Sequence, residues 1–141
     1  LLMPHSKYRS GDLDGFLHEQ MRTLNQVTER EREQYADRFL RSMRAAYRLF
    51  DQDAFRKRYA PKGKRRPINK ALFESWSVAL ALREDAEIDL LVARRGKLRT
   101  AFIELMGDRE FDLAVSQGTG SAARVRLRFQ SIQQIIEETL S

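Results

Sequence analysis

Along the C-terminal segment the apolar residues Val125, Phe129, Ile132, Ile136 and Leu140 recur at steps of three and four. A period near 3.6 puts all of them on one side of a helix, and such a stripe persists only when a neighbouring element covers it. The same spacing governs Leu13, Phe16, Leu17, Met21 and Leu24, then Tyr35, Phe39, Ser42, Met43, Ala46, Leu49 and Phe50. It returns in Leu72, Phe73, Trp76, Ala79 and Leu80, in Ile88, Leu91 and Val92, and in Leu98, Phe102, Leu105 and Met106. No segment sustains the alternation of a strand. The chain is therefore expected to be all-α, a single compact bundle of five to seven helices. Its 141 residues suit one domain, large enough to remove about 68–70% of the unfolded surface from water. Residues 1–10 carry no periodic pattern and read as a flexible arm, leaving 11–141 as the helical domain.

Local signals set the helix ends. Thr28 followed by Glu31 forms a capping box, in which each side chain satisfies the other's free backbone amide. Asp51-Gln52-Asp53 ends the helix that follows, and 54–59 reads as a further short turn of helix. Pro61 and Gly63 break the pattern, and Pro67 excludes Arg66 from helical geometry, so this segment is a loop closed by Asn69 as the next N-cap. Glu84, Asp85, Glu87 and Asp89 favour a helix start. Arg94-Arg95-Gly96 either interrupts or continues that helix. Gly107 suits a stop, Asp108 a new start running to Val115, and 117–120 a second loop.

Several chemistries find no footing. With no cysteine, thiolate zinc sites, disulfides and cysteine nucleophiles are excluded, and nothing argues for an oxidising compartment. The apolar runs are far shorter than the roughly 20 residues that cross a bilayer, and the N-terminus lacks a leader's regions, so a soluble, cytoplasmic chain without a membrane partner is expected. Because the chain opens on Leu1, it is read as a piece of something longer. Gly118-Thr119-Gly120-Ser121-Ala122-Ala123 fits the G-x-G-x-x-A dinucleotide pattern in letters only, since no strand precedes it and no second strand follows. It reads as an interhelical loop. Gly63-Lys64 and Gly96-Lys97 lack the Walker spacing, His5 and His18 lack a partnered nucleophile, and Asp108, Glu110 and Asp112 read as helix-start acids. A hydrolase would need carboxylates gathered from Glu74, Glu104, Asp108 or Glu110. No cofactor, metal or catalytic residue is assigned.

Charge is the more informative feature. The net charge is +6, yet Arg56, Lys57, Arg58, Lys62, Lys64, Arg65, Arg66 and Lys70 occupy one stretch without an acid. Outside those eight, 18 basic residues face 20 acidic ones, a balance of −2. A local excess of this kind draws phosphates, whereas an even scatter would mainly aid solubility. The candidate nucleic-acid contacts are Lys62, Lys64, Arg65, Arg66 and Lys70, with a solvated loop, or one meeting an acidic surface, as the competing reading. Arg94, Arg95, Lys97 and Arg99, and Arg124, Arg126 and Arg128, would extend the surface if they face the same way. Trp76 belongs to an apolar stripe and is assigned to the core rather than to base stacking.

The runs "YRSGDLDGFLHEQMRTLN", "RFLRSMRAAYRLFDQDAFRK", "RRPINKALFESWSVAL" and "SQGTGSAARVRLRFQSI", in that order, resemble the C-terminal helical region of the domain-of-unknown-function 262 family. That family includes GmrSD-type, modification-dependent restriction enzymes. Arg66-Pro67-Ile68-Asn69-Lys70-Ala71-Leu72-Phe73-Glu74 is the most specific segment. The resemblance implies that a ParB/sulfiredoxin-like nuclease or NTPase half with a D-G-Q-Q-R motif precedes this region, often in prokaryotic anti-phage defence. This sequence has no such motif, so no catalytic residue carries over. What it implies here is a non-catalytic accessory domain that packs on the catalytic half of the same polypeptide and helps hold DNA. The alternative is a structural or oligomerisation module without nucleic-acid contact.

Overall fold

The computed structural model describes residues 12–141, with Leu13 described by its backbone alone. The expected arm 1–10 and His5 lie outside the described residues. The elements are α1 (Leu13–Gln26), α2 (Glu29–Phe50), a 3-10 turn (Asp51–Asp53), α3 (Lys70–Ala81), α4 (Asp85–Ala93), α5 (Arg95–Gly107), α6 (Arg109–Ser116) and α7 (Ala122–Leu140). Among the described residues the only extended pairing is an isolated antiparallel bridge between Arg56 and Ile68. The chain is an all-α bundle in which α7 packs against α3, α4, α5 and α6, while α2 lies along α3.

The stripes meet where the periodicity predicts. Leu49, Leu72, Trp76, Leu91, Leu98, Phe102, Met106, Phe111, Ile132 and Ile136 form one core. At its centre Phe50, Trp76 and Phe102 pack edge to face, with ring centroids 4.8, 5.5 and 5.8 Å apart. Such pairs add about 0.5–1.5 kcal/mol each beyond their buried area. Trp76 is thus a core residue, 1% exposed.

The caps follow the sequence signals closely. The Thr28 hydroxyl accepts from the Glu31 amide at 3.2 Å, and the Glu31 carboxylate accepts from the Thr28 amide at 2.9 Å. Asn69 and Asp108 each accept an amide three residues on, at 2.9 Å. Glu84 and Glu87 form a second capping box, and the Glu84 amide, ahead of the nearby Arg83, holds the Glu87 carboxyl below the usual range.

Two features depart from the sequence reading, and one more resolves a point it left open. The 54–59 segment is not helical, because Phe55 adopts φ +62°. That conformation directs the Phe55 ring edge-on to Phe73 at 4.9 Å and its carbonyl to the Asn69 amide at 2.9 Å. Tertiary packing overrides local preference there, since a bulky residue with positive φ is costly by itself. The α4–α5 boundary falls at Arg94, and Gly96 sits within the first turn of α5. Finally, Leu17 and Met21 of α1 and Phe39 of α2 remain exposed at 45%, 57% and 40%. Phe16 ties α1 to the small cluster of Val125 and Phe129.

Candidate nucleic-acid interface

The basic segment begins at a tied base. Asn69 caps α3 with its side-chain oxygen, and its amide nitrogen donates to the Val115 carbonyl at 2.8 Å, fixing the loop's end to α6. At the other end Arg56 lies inside the loop, donating to the Gln52 carbonyl at 3.0 Å and to the Arg66 carbonyl at 2.5 Å. Arg65 donates to the Gln52 side chain, so the 3-10 turn and the loop hold each other.

Within this frame, Lys57, Arg58, Tyr59, Lys64, Arg65 and Arg66 line an open cleft of about 350 Å³. The one carboxylate of the lining, Asp53, is paired with Arg58. Arg58 also donates to the carbonyls of Ala60 and Pro61. The Arg66 guanidinium lies over the Tyr59 ring, 4.7 Å from its centroid. The Tyr59 hydroxyl donates to Asp112 at 2.7 Å, and the same carboxylate oxygen accepts from Lys57 at 3.3 Å. Burial and then the Asp112 contact push the Tyr59 phenol up to about 12. In return the Tyr59 hydroxyl, with help from Lys57 and Ser116, holds the Asp112 carboxyl below its ordinary value.

Of the five candidates, Lys64, Arg65 and Arg66 converge on the cleft, whereas Lys62 and Lys70 are exposed outside its lining. Among the described residues none of the five forms an ion pair with a carboxylate. Tyr59 is not among the sequence candidates for this site, and Asp112 reads from sequence only as a helix-start acid. An aromatic set between cations, Arg58-Tyr59 within the charge run, was the signal available for the first. The second lies far away in the chain and carries no local signal.

The wider basic surface does not form as one face. Arg128 is 1% exposed, paired with Glu74 at 2.8 Å and donating to the Thr119 carbonyl at 2.6 Å. Arg94 donates to the Thr139 and Leu140 carbonyls at 2.9 and 2.8 Å, and Lys97 to that of Glu138 at 2.5 Å. Arg99 donates to the Leu49 carbonyl at 2.6 Å and pairs with Asp51 at 3.0 Å, and Arg124 reaches the Gln117 carbonyl. Arg94, Lys97, Arg99 and Arg124 thus serve the carbonyls at helix ends, where the dipole is negative, whereas Arg128 reaches a carbonyl of the loop between α6 and α7. Of the seven, Arg95 on α5 and Arg126 on α7 stay exposed and, among the described residues, make no carbonyl or carboxylate contact of this kind.

Of the acids weighed for hydrolysis, Glu74 and Asp108 are taken up in structural roles, and Glu104 and Glu110 are exposed. Glu74 holds Arg128, Asp108 caps α6, and no group of three or more metal-ligating side chains gathers among the described residues. Gly118, at φ +52°, turns the chain between α6 and α7, and the G-x-G-x-x-A letters fall on this interhelical loop. No described helix is long and apolar enough to cross a membrane. No protein-family model, curated protein or solved structure matches the chain.

Proposed function

We propose that this chain is the non-catalytic helical accessory domain of a larger defence-type nuclease or NTPase, packing on the catalytic half of the same polypeptide and contacting DNA phosphates through the basic loop 61–69 and Lys70 at the start of α3. The observation that supports the contact is the freedom of its charges. Lys62, Lys64, Arg65, Arg66 and Lys70 are all exposed and none is neutralised by an acid, although the chain carries 20 acidic residues. Cations so placed gain by displacing condensed counterions from phosphates, a contact without base specificity.

Replacing all five by alanine tests the loop. If each meets one phosphate of duplex DNA, the slope of log affinity against log salt flattens by about 4 to 5. An unchanged slope and affinity remove the loop from consideration. The second reading, an oligomerisation module, is favoured by the exposed Leu17, Met21, Phe39 and Leu40 on α1 and α2. Light scattering during the same experiment decides it, through a mass above the 16.5 kDa of one chain.

A further inference from the structure

The cleft holds more than charge. Tyr59 is 41% exposed, lines the cleft beside Lys64, Arg65 and Arg66, and is covered by the Arg66 guanidinium. Its ring is anchored from behind, because the hydroxyl is bound to Asp112, which Lys57 holds in turn. A fixed aromatic ring among cations, already stacked with one planar cation, has the chemistry of a platform for a nucleobase. The opening of about 350 Å³ suits a single nucleotide, near the lower end of small-ligand sites. Bases within a duplex are stacked on one another and present only their edges, so only an unpaired base offers its face to such a ring.

Resting on the phosphate-gripping reading above, we infer that the cleft takes an unpaired nucleotide of a single strand, its base stacked on Tyr59 and its phosphates held by Lys64, Arg65 and Arg66. In this arrangement the base takes the place of the Arg66 guanidinium on the ring, and Arg66 turns to a phosphate. Tyr59 is then what separates single strands from duplex, while the cations serve both.

The test is fluorescence anisotropy with labelled oligothymidine, oligouridine and a hairpin duplex, over a range of salt. Tyr59→Leu is expected to weaken single-strand binding about five- to a hundredfold with the salt slope unchanged, and to leave duplex binding alone. Tyr59→Phe keeps the ring but loses its anchor on Asp112, and is expected to bind single strands between the parent and Tyr59→Leu. The ratio of the two oligomers tells which sugar the site prefers, and Tyr59 dependence with either supports the assignment. Tyr59→Trp, which keeps an aromatic platform should the leucine variant misfold, is expected to bind at least as tightly and to show quenched indole emission on binding. Trp76, being buried, remains a steady background. The platform is overturned if Tyr59→Leu binds single strands as the parent does, or if the new indole is not quenched by bound oligomer, while Lys64, Arg65 and Arg66 replaced together by alanine weaken binding. If that triple replacement has no effect either, the phosphate-gripping reading itself has failed.

Discussion

The pair formed by Arg128 and Glu74 makes an asymmetric prediction. The Arg128 side chain is 1% exposed, whereas that of Glu74 is 36% exposed, and the two meet at 2.8 Å. Arginine cannot shed its proton, so Glu74→Gln leaves a buried positive charge supported by the Thr119 carbonyl, the neutral amide and the Phe129 ring 5.9 Å away, with no carboxylate beside it. Removing one partner of a buried pair costs about 3–5 kcal/mol. Water at the Glu74 side already screens the pair, which places the expected loss for Glu74→Gln at about 2–3 kcal/mol. Arg128→Met instead fills a similar volume with apolar atoms and frees Glu74 to be hydrated. It also removes the Arg128 Nε, a buried donor with no partner. Its expected cost is within about 1 kcal/mol of zero. Urea unfolding followed by Trp76 fluorescence and far-ultraviolet circular dichroism measures both, since Trp76 is the sole tryptophan and lies in the core. In melting temperature the charge-stripping variant should fall by about 5–12 °C. If Arg128→Met proves the more damaging by 1 kcal/mol or more, the ion is contributing net stability and the reasoning is refuted.

Other outcomes can be checked on the same material. Asn69→Ala removes the α3 cap and the partner of the Val115 carbonyl together, so a loss of about 1–2 kcal/mol is expected, and a loss below about 0.3 kcal/mol would show that the loop's anchor lies elsewhere. The Tyr59 phenol, raised to about 12, adds stability that is complete below pH 10 and lost as pH climbs through 12. Asp112 is lowered, so its share is present above about pH 4 and lost as pH falls through its folded value. Tyrosine-selective NMR titration should find one late ring that returns toward 10 in Asp112→Asn, and a ring indifferent to that change would contradict the described hydrogen bond.

Where the sequence was legible, the physics was local. The capping box at Thr28, the caps at Asn69 and Asp108, and the stripe holding Trp76 each involve residues within a turn or two, and each appears as expected. The core periodicity of α7 likewise survives folding, with Val125, Phe129, Ile132 and Ile136 all buried. What could not be read depended on distant chain. Phe55 leaves helical geometry because Phe73 waits on α3, and Arg128 turns inward because Glu74 faces it. The boundary at Arg94 falls in the Arg94-Arg95-Gly96 stretch, where local signals allowed either interruption or continuation, and Arg94 itself is committed to the end of α7. For the candidate site, composition located the charge, but the distinction between Arg65 and Arg58 came from Asp53, which neutralises only the latter. Tyr59 entered the site through Asp112, more than fifty positions away.

Asp51 and Phe55, at φ +53° and +62°, bracket the elbow by which the chain leaves α2. Two left-handed non-glycine residues in so short a span each cost on the order of 1–3 kcal/mol, and the surrounding contacts of Arg99, Phe73 and Asn69 hold them in place. An elbow held this way is rigid rather than adaptable. The ordering entropy of the loop is therefore spent when the domain folds, not when a ligand arrives, and association would proceed as docking onto a finished frame with only the Arg66 rotamer to rearrange.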